Sequence, residues 1–254
     1  MSFAEHPDLV EFYTGHRDTP DELYPSERRF IPWLASQAGS VLDVGCAAGG
    51  FAAIWRHWNP ELSYAGVDVS EPLVEAARRL HPDCAFEVAD CAEGLPFGDA
   101  QFDAVQALGW LHWEPRWERA LREMWRVTGG RLFFDVRLLP DAQEGRQRLA
   151  LSGEWDGETT VPYLCLAWQR FAESLLALEP GAILTQGYLG RPSDTVTGVQ
   201  GEICFATFVL ERAVSRTDKP LVCADLPYAW PGGEVDLRGA EELERLAPAE
   251  VPAG

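Results

Sequence analysis

The sequence predicts a doubly wound α/β fold with a mostly parallel sheet. Short apolar runs alternate with helix-compatible segments between residues 41 and 136. Three of these runs close on an acidic residue, namely Asp43, Asp68 and Asp90. Ligands of such folds bind at the carboxyl ends of the parallel strands. We therefore expect the three acids to mark one ligand-binding edge.

The first predicted strand begins at Val41 and leads into small residues at every second position. A helix over residues 51–58 is expected next. This arrangement is typical of a nucleotide cradle, because glycines let the backbone approach the ligand and N–H groups at the helix start face it. Asp43 precedes the first glycine, Gly45, by two positions. A carboxylate there suits a ligand with a cationic group better than the paired phosphates of a dinucleotide.

The second predicted strand, residues 63–69, contains Asp68 near its end, about 20 residues after the first glycine. An acid at this place can accept two hydrogen bonds from a ribose diol. A helix is predicted over residues 71–80, with Pro72 in its first turn, where proline is tolerated. A third strand over residues 84–89 then ends at Asp90 and Cys91.

A turn-rich link leads to the fourth predicted strand, residues 104–108, and glycines separate the next helix from the fifth strand. The region beyond that strand is less regular, and Asp156-Gly157 is a turn signal within it. The further elements predicted in chain order are a helix over 117–127, a strand over 131–136, a hairpin or loop over 149–166, an amphipathic helix over 166–178 and two strands over 182–189 and 202–212.

Asp43, Gly45, Ala47 and Gly49 together resemble the first motif of the class I S-adenosylmethionine-dependent methyltransferases. That motif runs acid, any residue, Gly, any residue, Gly or Ala, any residue, Gly. Alanine in place of the second glycine implies a backbone without positive φ at Ala47. The same alanine breaks the Gly-x-Gly-x-x-Gly spacing of dinucleotide-binding proteins, the main rival within this fold.

The resemblance covers residues 41–212 and is strongest over 41–136. It implies a Rossmann-like methyltransferase fold with seven strands and an antiparallel closing strand. It also implies an enzyme that uses S-adenosylmethionine and releases S-adenosylhomocysteine. The alternatives are a lyase or cyclase acting on the sulfonium itself, and a non-catalytic S-adenosylmethionine-binding protein.

The resemblance assigns residues to each part of the cofactor. Asp90 would accept from the exocyclic amine of the adenine, and the Cys91 backbone N–H would donate to its ring. Tyr13 and Arg17 stand where family members have lid residues at the methionine end, with Tyr24 and Arg28 as alternatives. The predicted cofactor-binding residues are Tyr13, Arg17, Asp43, Gly45, Cys46, Ala47, Gly49, Asp68, Val69, Asp90, Cys91 and Leu108.

The acceptor site is expected above the fourth and fifth strands, where His112 stands among aromatic residues. His112 is the predicted catalytic base, although a segment that packs its tryptophans into the core would show the same pattern. Arg137 follows the fifth strand and either holds an acidic acceptor or forms a salt bridge. The predicted substrate-binding residues are Trp110, Trp113, Arg137 and Tyr163, and Trp155 and Tyr188 are further candidates in the variable half.

The composition limits the classes of molecule that the protein is expected to bind. A net charge of −19 would repel a nucleic-acid backbone or an anionic membrane, which leaves a small molecule or a protein as the partner. A small-molecule substrate is predicted. The six cysteines form no Cys-x-x-Cys pair, which favours a reducing, cytoplasmic location. The start of the chain lacks the features of a signal peptide. No histidine pair has metal-ligand spacing, and a monomer or homodimer is expected.

Three regions are predicted from these patterns. Residues 1–40 form an N-terminal helical lid. Residues 41–215 form the S-adenosylmethionine-binding methyltransferase domain, with an acceptor-site insertion around 137–180. Residues 216–254 form an acidic, proline-rich tail, either partly disordered or packed through Leu226, Tyr228 and Trp230.

Overall fold

A large twisted sheet runs through the computed structural model, which describes residues 9–149, 160–213 and 219–248. Its strands are β1 Ser40–Val44, β2 Ser63–Asp68, β3 Ala85–Val88, β4 Phe102–Ala107, β5 Thr128–Leu139, β6 Gln143–Arg148, β7 Thr160–Ala167, β8 Ala182–Gly190, β9 Val196–Thr197, β10 Ile203–Glu211, β11 Leu221–Asp225 and β12 Asp236–Arg238. The main path of the sheet has the order β12-β11-β8-β10-β5-β4-β1-β2-β3.

The predicted fold class is confirmed. Strands β1 to β5 are mutually parallel where they pair, and β10 runs antiparallel to both of its neighbours, β5 and β8. β10 is therefore the antiparallel closing strand that the sequence predicts. The tail adds β11 and β12 beyond β8, so the main path is two strands wider than the predicted seven.

Helices cover both faces of the sheet. They are α1 Leu9–Tyr13, α2 Pro25–Ala35, α3 Phe51–Trp58, α4 Glu71–Leu80, α5 Trp117–Val127, α6 Trp168–Leu176 and α7 Ala240–Leu246. The bounds of α3, α4 and α5 are those predicted. The sequence did not predict α2, which begins at Pro25 and buries Phe30, Ile31 and Leu34, because two prolines and many charges obscure its apolar face.

The core has two layers, one on each side of the sheet, and two adjacent residues of β5 serve both. Phe133 contacts Phe30 of α2 on one face, with ring centroids 5.7 Å apart. Phe134 stacks on Phe208 of β10 on the other face, at 5.7 Å and an interplanar angle of 16°. This double burial explains why the fifth strand has a continuous apolar run.

The region between β5 and α6 forms a small sheet of its own. β6 and β7 pair antiparallel, β9 pairs with β6, and the end of β7 pairs with the end of β5. A hairpin is thus present, while the predicted turn at Asp156-Gly157 lies outside the described residues. The helix predicted from residue 166 begins at Trp168 instead, because β7 continues to Ala167.

The described part of the tail packs on the domain. Leu226, Tyr228 and Trp230 are partly buried against the core. The indole N–H of Trp168 donates to the carbonyl of Ala229 at 2.8 Å. Of the two alternatives predicted for the tail, packing against the domain is therefore the one observed for residues 219–248. The boundaries predicted for the three regions stay predictions.

Candidate functional site

One cavity of about 980 Å³ opens at the carboxyl ends of β1, β2, β3, β4 and β5. All but three of the predicted site residues line it, and the exceptions are Asp43, Gly49 and Tyr163. The predicted residues in the lining are Tyr13, Arg17, Gly45, Cys46, Ala47, Asp68, Val69, Asp90, Cys91, Leu108, Trp110, His112, Trp113 and Arg137.

The turn between β1 and α3 forms the floor of the cavity. Gly45 has a φ of +77°, and a side chain there would collide with the indole of Trp110. That indole donates to the carbonyl of Val44, the last residue of β1, at 2.5 Å. Only glycine satisfies both the backbone conformation and the close approach of the tryptophan.

Ala47 corrects one prediction. Its φ is +47°, so the expectation of a backbone without positive φ was wrong. The Ala47 N–H donates to Oδ2 of Asp68 at 3.0 Å, across the gap between β1 and β2. This bond holds alanine in a left-handed conformation that it would rarely adopt on its own.

Asp68 faces the cavity from the end of β2 and is 9% exposed. Its Oδ1 accepts from the Ser70 N–H at 2.9 Å, and its Oδ2 accepts from Ala47. A carboxylate has about four lone-pair sites, so Asp68 keeps acceptor capacity for a ligand. Burial raises the pKa of Asp68, although the backbone N–H groups oppose the rise.

Asp43 lies beneath the floor and does not line the cavity, so the direct ligand contact predicted for it is absent from this geometry. The Tyr64 hydroxyl of the neighbouring strand donates to the Asp43 carboxylate. Burial raises the pKa of Asp43 to about 6, although the hydrogen bond from Tyr64 opposes the rise. Asp43 therefore supports the cradle from within the sheet.

The tip of β3 presents an ion-paired carboxylate. Asp90 accepts from the Ala92 N–H at 2.9 Å and from the Arg116 guanidinium at 2.8 Å. Cys91 is buried, which raises the pKa of its thiol. Arg116 also pairs with Glu114 and lines the cavity, and the sequence analysis missed it because an isolated arginine before a helix has no distinctive pattern.

The N-terminal residues cover the cradle. The guanidinium carbon of Arg17 lies 4.8 Å from the ring centroid of Tyr24 and 4.7 Å from that of Phe51. Arg17 also forms an ion pair with the buried Glu27, which the sequence analysis did not anticipate. Burial, with help from Asp68, raises the pKa of Tyr13 to about 12. Arg28, one of the alternatives, donates to the Asp21 carbonyl at 3.1 Å and does not line the cavity.

His112 is 5% exposed and lies against Tyr163, with ring centroids 5.2 Å apart. Burial, reinforced by Arg137, lowers the pKa of His112 to about 3. The imidazole is therefore neutral at neutral pH but a weak proton acceptor. A weak proton acceptor suits the predicted role of catalytic base poorly, and that role stays a prediction.

The salt-bridge alternative for Arg137 is present. Its guanidinium donates to Asp135 at 2.5 Å and also hydrogen-bonds the Tyr163 hydroxyl. Tyr163 therefore contacts Arg137 but does not itself line the cavity. Tyr188 is 60% exposed and outside the lining, and Trp155 lies outside the described residues.

A wall from the small β6–β7–β9 sheet and its flanking loops completes the cavity. Trp113 links the two parts, because its indole donates to Gln147 Oε1 at 2.9 Å. This wall was not predicted from the sequence, since its polar residues show no motif. Its lining residues are Gln147, Arg148, Leu149, Thr160, Val161, Pro162, Ser193 and Thr195.

Within residues 9–149, 160–213 and 219–248, no group of three or more His, Cys, Asp or Glu side chains is placed to hold a metal ion. None of the helices described there is long and apolar enough to cross a membrane.

Comparison with known proteins is consistent with this geometry. Residues 41–129 match the family model described as a methyltransferase domain. The chain is 35% identical over 160 residues to a fatty-acid O-methyltransferase of Mycolicibacterium smegmatis, covering 56% of this chain and 58% of that protein. It is 34% identical over 125 residues to a probable tRNA methyltransferase 9B of Homo sapiens, covering 47% and 26%.

Each of these two matches spans less than two thirds of the relative's own length. Among solved structures, the N-terminal domain of EvdMO1, determined with SAH bound, superposes with a TM-score of 0.54. The two chains are 18% identical, and the superposition covers 77% of this chain and 82% of that one. At this identity the likeness shows the fold alone.

Proposed function

Through residues 41–129 the chain belongs to the class I S-adenosylmethionine-dependent methyltransferases, and on that premise we propose that it methylates a small-molecule acceptor. S-adenosylmethionine is the cofactor, and S-adenosylhomocysteine is the product. The observation that carries the proposal is the double use of Asp68. Its carboxylate orders the glycine-rich turn through Ala47 and still faces the cavity.

The residues present fit the donor. A side chain at Gly45 would fill the cradle, and Asp68 keeps lone pairs for the two hydroxyls of a ribose. Asp90 stands at the next strand tip, where it can accept from an adenine amine beside its bond to Arg116. Arg17 lies over the turn and can receive a carboxylate in addition to Glu27.

The donor supplies an activated methyl group on a sulfonium, so the protein's task is alignment. Trp110 and Trp113 wall the acceptor side, and the neutral His112 lies between them in the chain. These residues exclude water and orient the acceptor. The buried ion pair of Arg137 with Asp135 fixes the opposite wall.

Two observations support a small acceptor over a nucleic acid. The net charge of −19 opposes the approach of a phosphate backbone. The N-terminal residues and the β6–β7–β9 wall enclose the cavity from two sides. One relative is named for a fatty acid and the other for a tRNA, so the relatives' names do not distinguish the two classes of acceptor. The cytoplasmic location and the monomeric or homodimeric state stay predictions.

Calorimetric titration tests the proposal. The wild type should bind S-adenosylmethionine and S-adenosylhomocysteine and should not bind NAD. Asp68→Ala should weaken both by about 100-fold, since two hydrogen bonds to a carboxylate contribute about 1.5 kcal/mol or more each. The matched control Asp83→Ala, an exposed acid paired with Arg56, should change neither affinity.

The outcomes separate the alternatives. Binding of NAD, or of no nucleotide, would remove the proposed cofactor. Release of 5′-methylthioadenosine from the donor alone would indicate a lyase or cyclase. Methyl transfer to purified tRNA, and none to the low-molecular-mass fraction of a cell extract, would remove the small-molecule acceptor.

A further inference from the structure

Arg137 presents a fixed cation to the acceptor side of the cavity. Its side chain is 15% exposed, and its guanidinium carbon lies 4.8 Å from the ring centroid of Phe205. Asp135 and the Tyr163 hydroxyl hold one part of the guanidinium. The buried Nε has no hydrogen-bond partner. A guanidinium held in this way is pre-organised for one more anionic or polar partner.

The charge around Arg137 differs from that of the protein as a whole. The described residues of the β6–β7–β9 wall that line the cavity contribute a second cation, Arg148, and no carboxylate. The carboxylates in the lining belong to the tips of β2 and β3 and to the segment before α5, and they are Asp68, Asp90 and Glu114. In a chain of net charge −19, the guanidinium groups of Arg137 and Arg148 on this side of the cavity favour an acidic acceptor.

The acceptor side also lacks a strong base among the described residues. The pKa of His112 is about 3, because the ring is buried beside Arg137. Burial alone would raise the pKa of Asp135, but Arg137 holds it below its ordinary value. Glu114 accepts three hydrogen bonds from Arg116. An acceptor that is already ionised when it binds can react here without a general base.

We infer that the acceptor is a carboxylic acid and that the product is its methyl ester, an inference that rests on the proposed function. Arg137 binds one carboxylate oxygen, and the other oxygen attacks the methyl carbon. A C–O bond forms and the C–S bond breaks, with its electron pair passing to sulfur. Carboxylate and sulfonium become neutral ester and neutral thioether, so no proton moves and no base is required.

Base lability of the transferred methyl group tests the inference. The protein is incubated with methyl-tritiated S-adenosylmethionine and either benzoate, octanoate or the low-molecular-mass fraction of a cell extract. Benzamide and octylamine are the matched uncharged and cationic probes. Methyl esters release volatile methanol in alkali, whereas ethers and methylamines do not. We expect base-labile product, and a rate per carboxylate that is constant from pH 6 to 9.

Variants at Arg137 supply the second arm. Arg137→Gln should raise the KM for the carboxylate at least about tenfold while S-adenosylhomocysteine affinity stays within about twofold. Arg137→Lys, which keeps the charge, should recover part of the loss. The control Arg170→Gln, 71% exposed on α6, should change neither quantity.

The two proposals fail in different ways. Base-stable product, or an unchanged KM in both Arg137 variants, overturns the carboxylate acceptor and leaves methyl transfer standing. Failure to bind S-adenosylhomocysteine, or failure to transfer methyl to any probe or extract, overturns the proposed function itself.

Discussion

Replacing Asp43 by asparagine should stabilise the protein increasingly as the pH rises. Asp43 is 2% exposed and accepts a hydrogen bond from the Tyr64 hydroxyl. Burial raises its pKa from 3.8 to about 6. A carboxyl whose pKa is higher in the native than in the unfolded state favours folding when protonated. That contribution is lost as the pH rises from the unfolded pKa through the native one.

The expected magnitude follows from the pKa values. A rise from 3.8 to about 6 corresponds to about 3 kcal/mol of unfolding free energy, lost between about pH 4 and pH 7. Asparagine has nearly the same size, still accepts from the tyrosine and cannot ionise. The difference in unfolding free energy, Asp43→Asn minus wild type, should therefore increase by about 3 kcal/mol over this range. Other titrating groups cancel in the difference.

Urea unfolding at intervals from pH 3 to pH 8, which spans both pKa values, measures this difference. The control is Asp83→Asn, an exposed acid whose pKa Arg56 lowers, so its small pH dependence should have the opposite sign. A difference for Asp43→Asn that is flat or decreases with pH would refute the reasoning. The carboxylate would then be ionised in the native state at little cost.

Three further results are expected. Ala47→Gly should stabilise by about 0.5 kcal/mol in urea unfolding, because relief of a left-handed alanine (about 1–2 kcal/mol) exceeds the entropy that glycine adds to the unfolded chain (about 0.4–1 kcal/mol). The control Ala53→Gly, at an exposed position of α3, should lower the unfolding free energy by about 1 kcal/mol. Equal losses of unfolding free energy in the two variants would contradict backbone strain at Ala47. His112→Gln should leave the pH profile of kcat unchanged from pH 6 to 9, and loss of a wild-type inflection near pH 6.5 would restore the base role. Gly45→Ala should weaken S-adenosylhomocysteine binding at least about tenfold more than Gly109→Ala, since both glycines have positive φ but only the first would collide with the overlying indole; equal effects would exclude the collision.

Local signals were sufficient for much of the fold. The helices α3, α4 and α5 begin and end where the sequence predicts, because apolar periodicity and flanking glycine or proline act within a few residues. The boundaries of β5 and α2 were not predictable in this way. β5 begins three residues before its predicted start because its edges are set by pairing with β4 and β10.

Some residues of the candidate site could likewise be predicted from local sequence signals, and others could not. Gly45, Asp68 and Asp90 could be placed from sequence, since each stands at a strand tip and parallel strands end at one edge. The β6–β7–β9 wall could not, because its residues share no motif and meet the cavity only through the pairing of β7 with β5 and of β6 with β9.

The sequence by itself determined the order of strands and helices from β1 to β5, the cradle and the resemblance to the methyltransferases, because each depends on residue type and spacing over short distances. The tertiary structure alone decided the conformation of Ala47, the burial of Asp43 and the partner of Arg137. Each of these depends on a neighbour brought close by the fold. Asp68 accepts the hydrogen bond that holds the backbone of Ala47, and Tyr64 donates to the buried Asp43. Asp135 forms the ion pair with Arg137. The sequence shows where a carboxylate or a guanidinium stands in the chain. Only packing sets the exposure and the partner of that group, and these determine its chemistry.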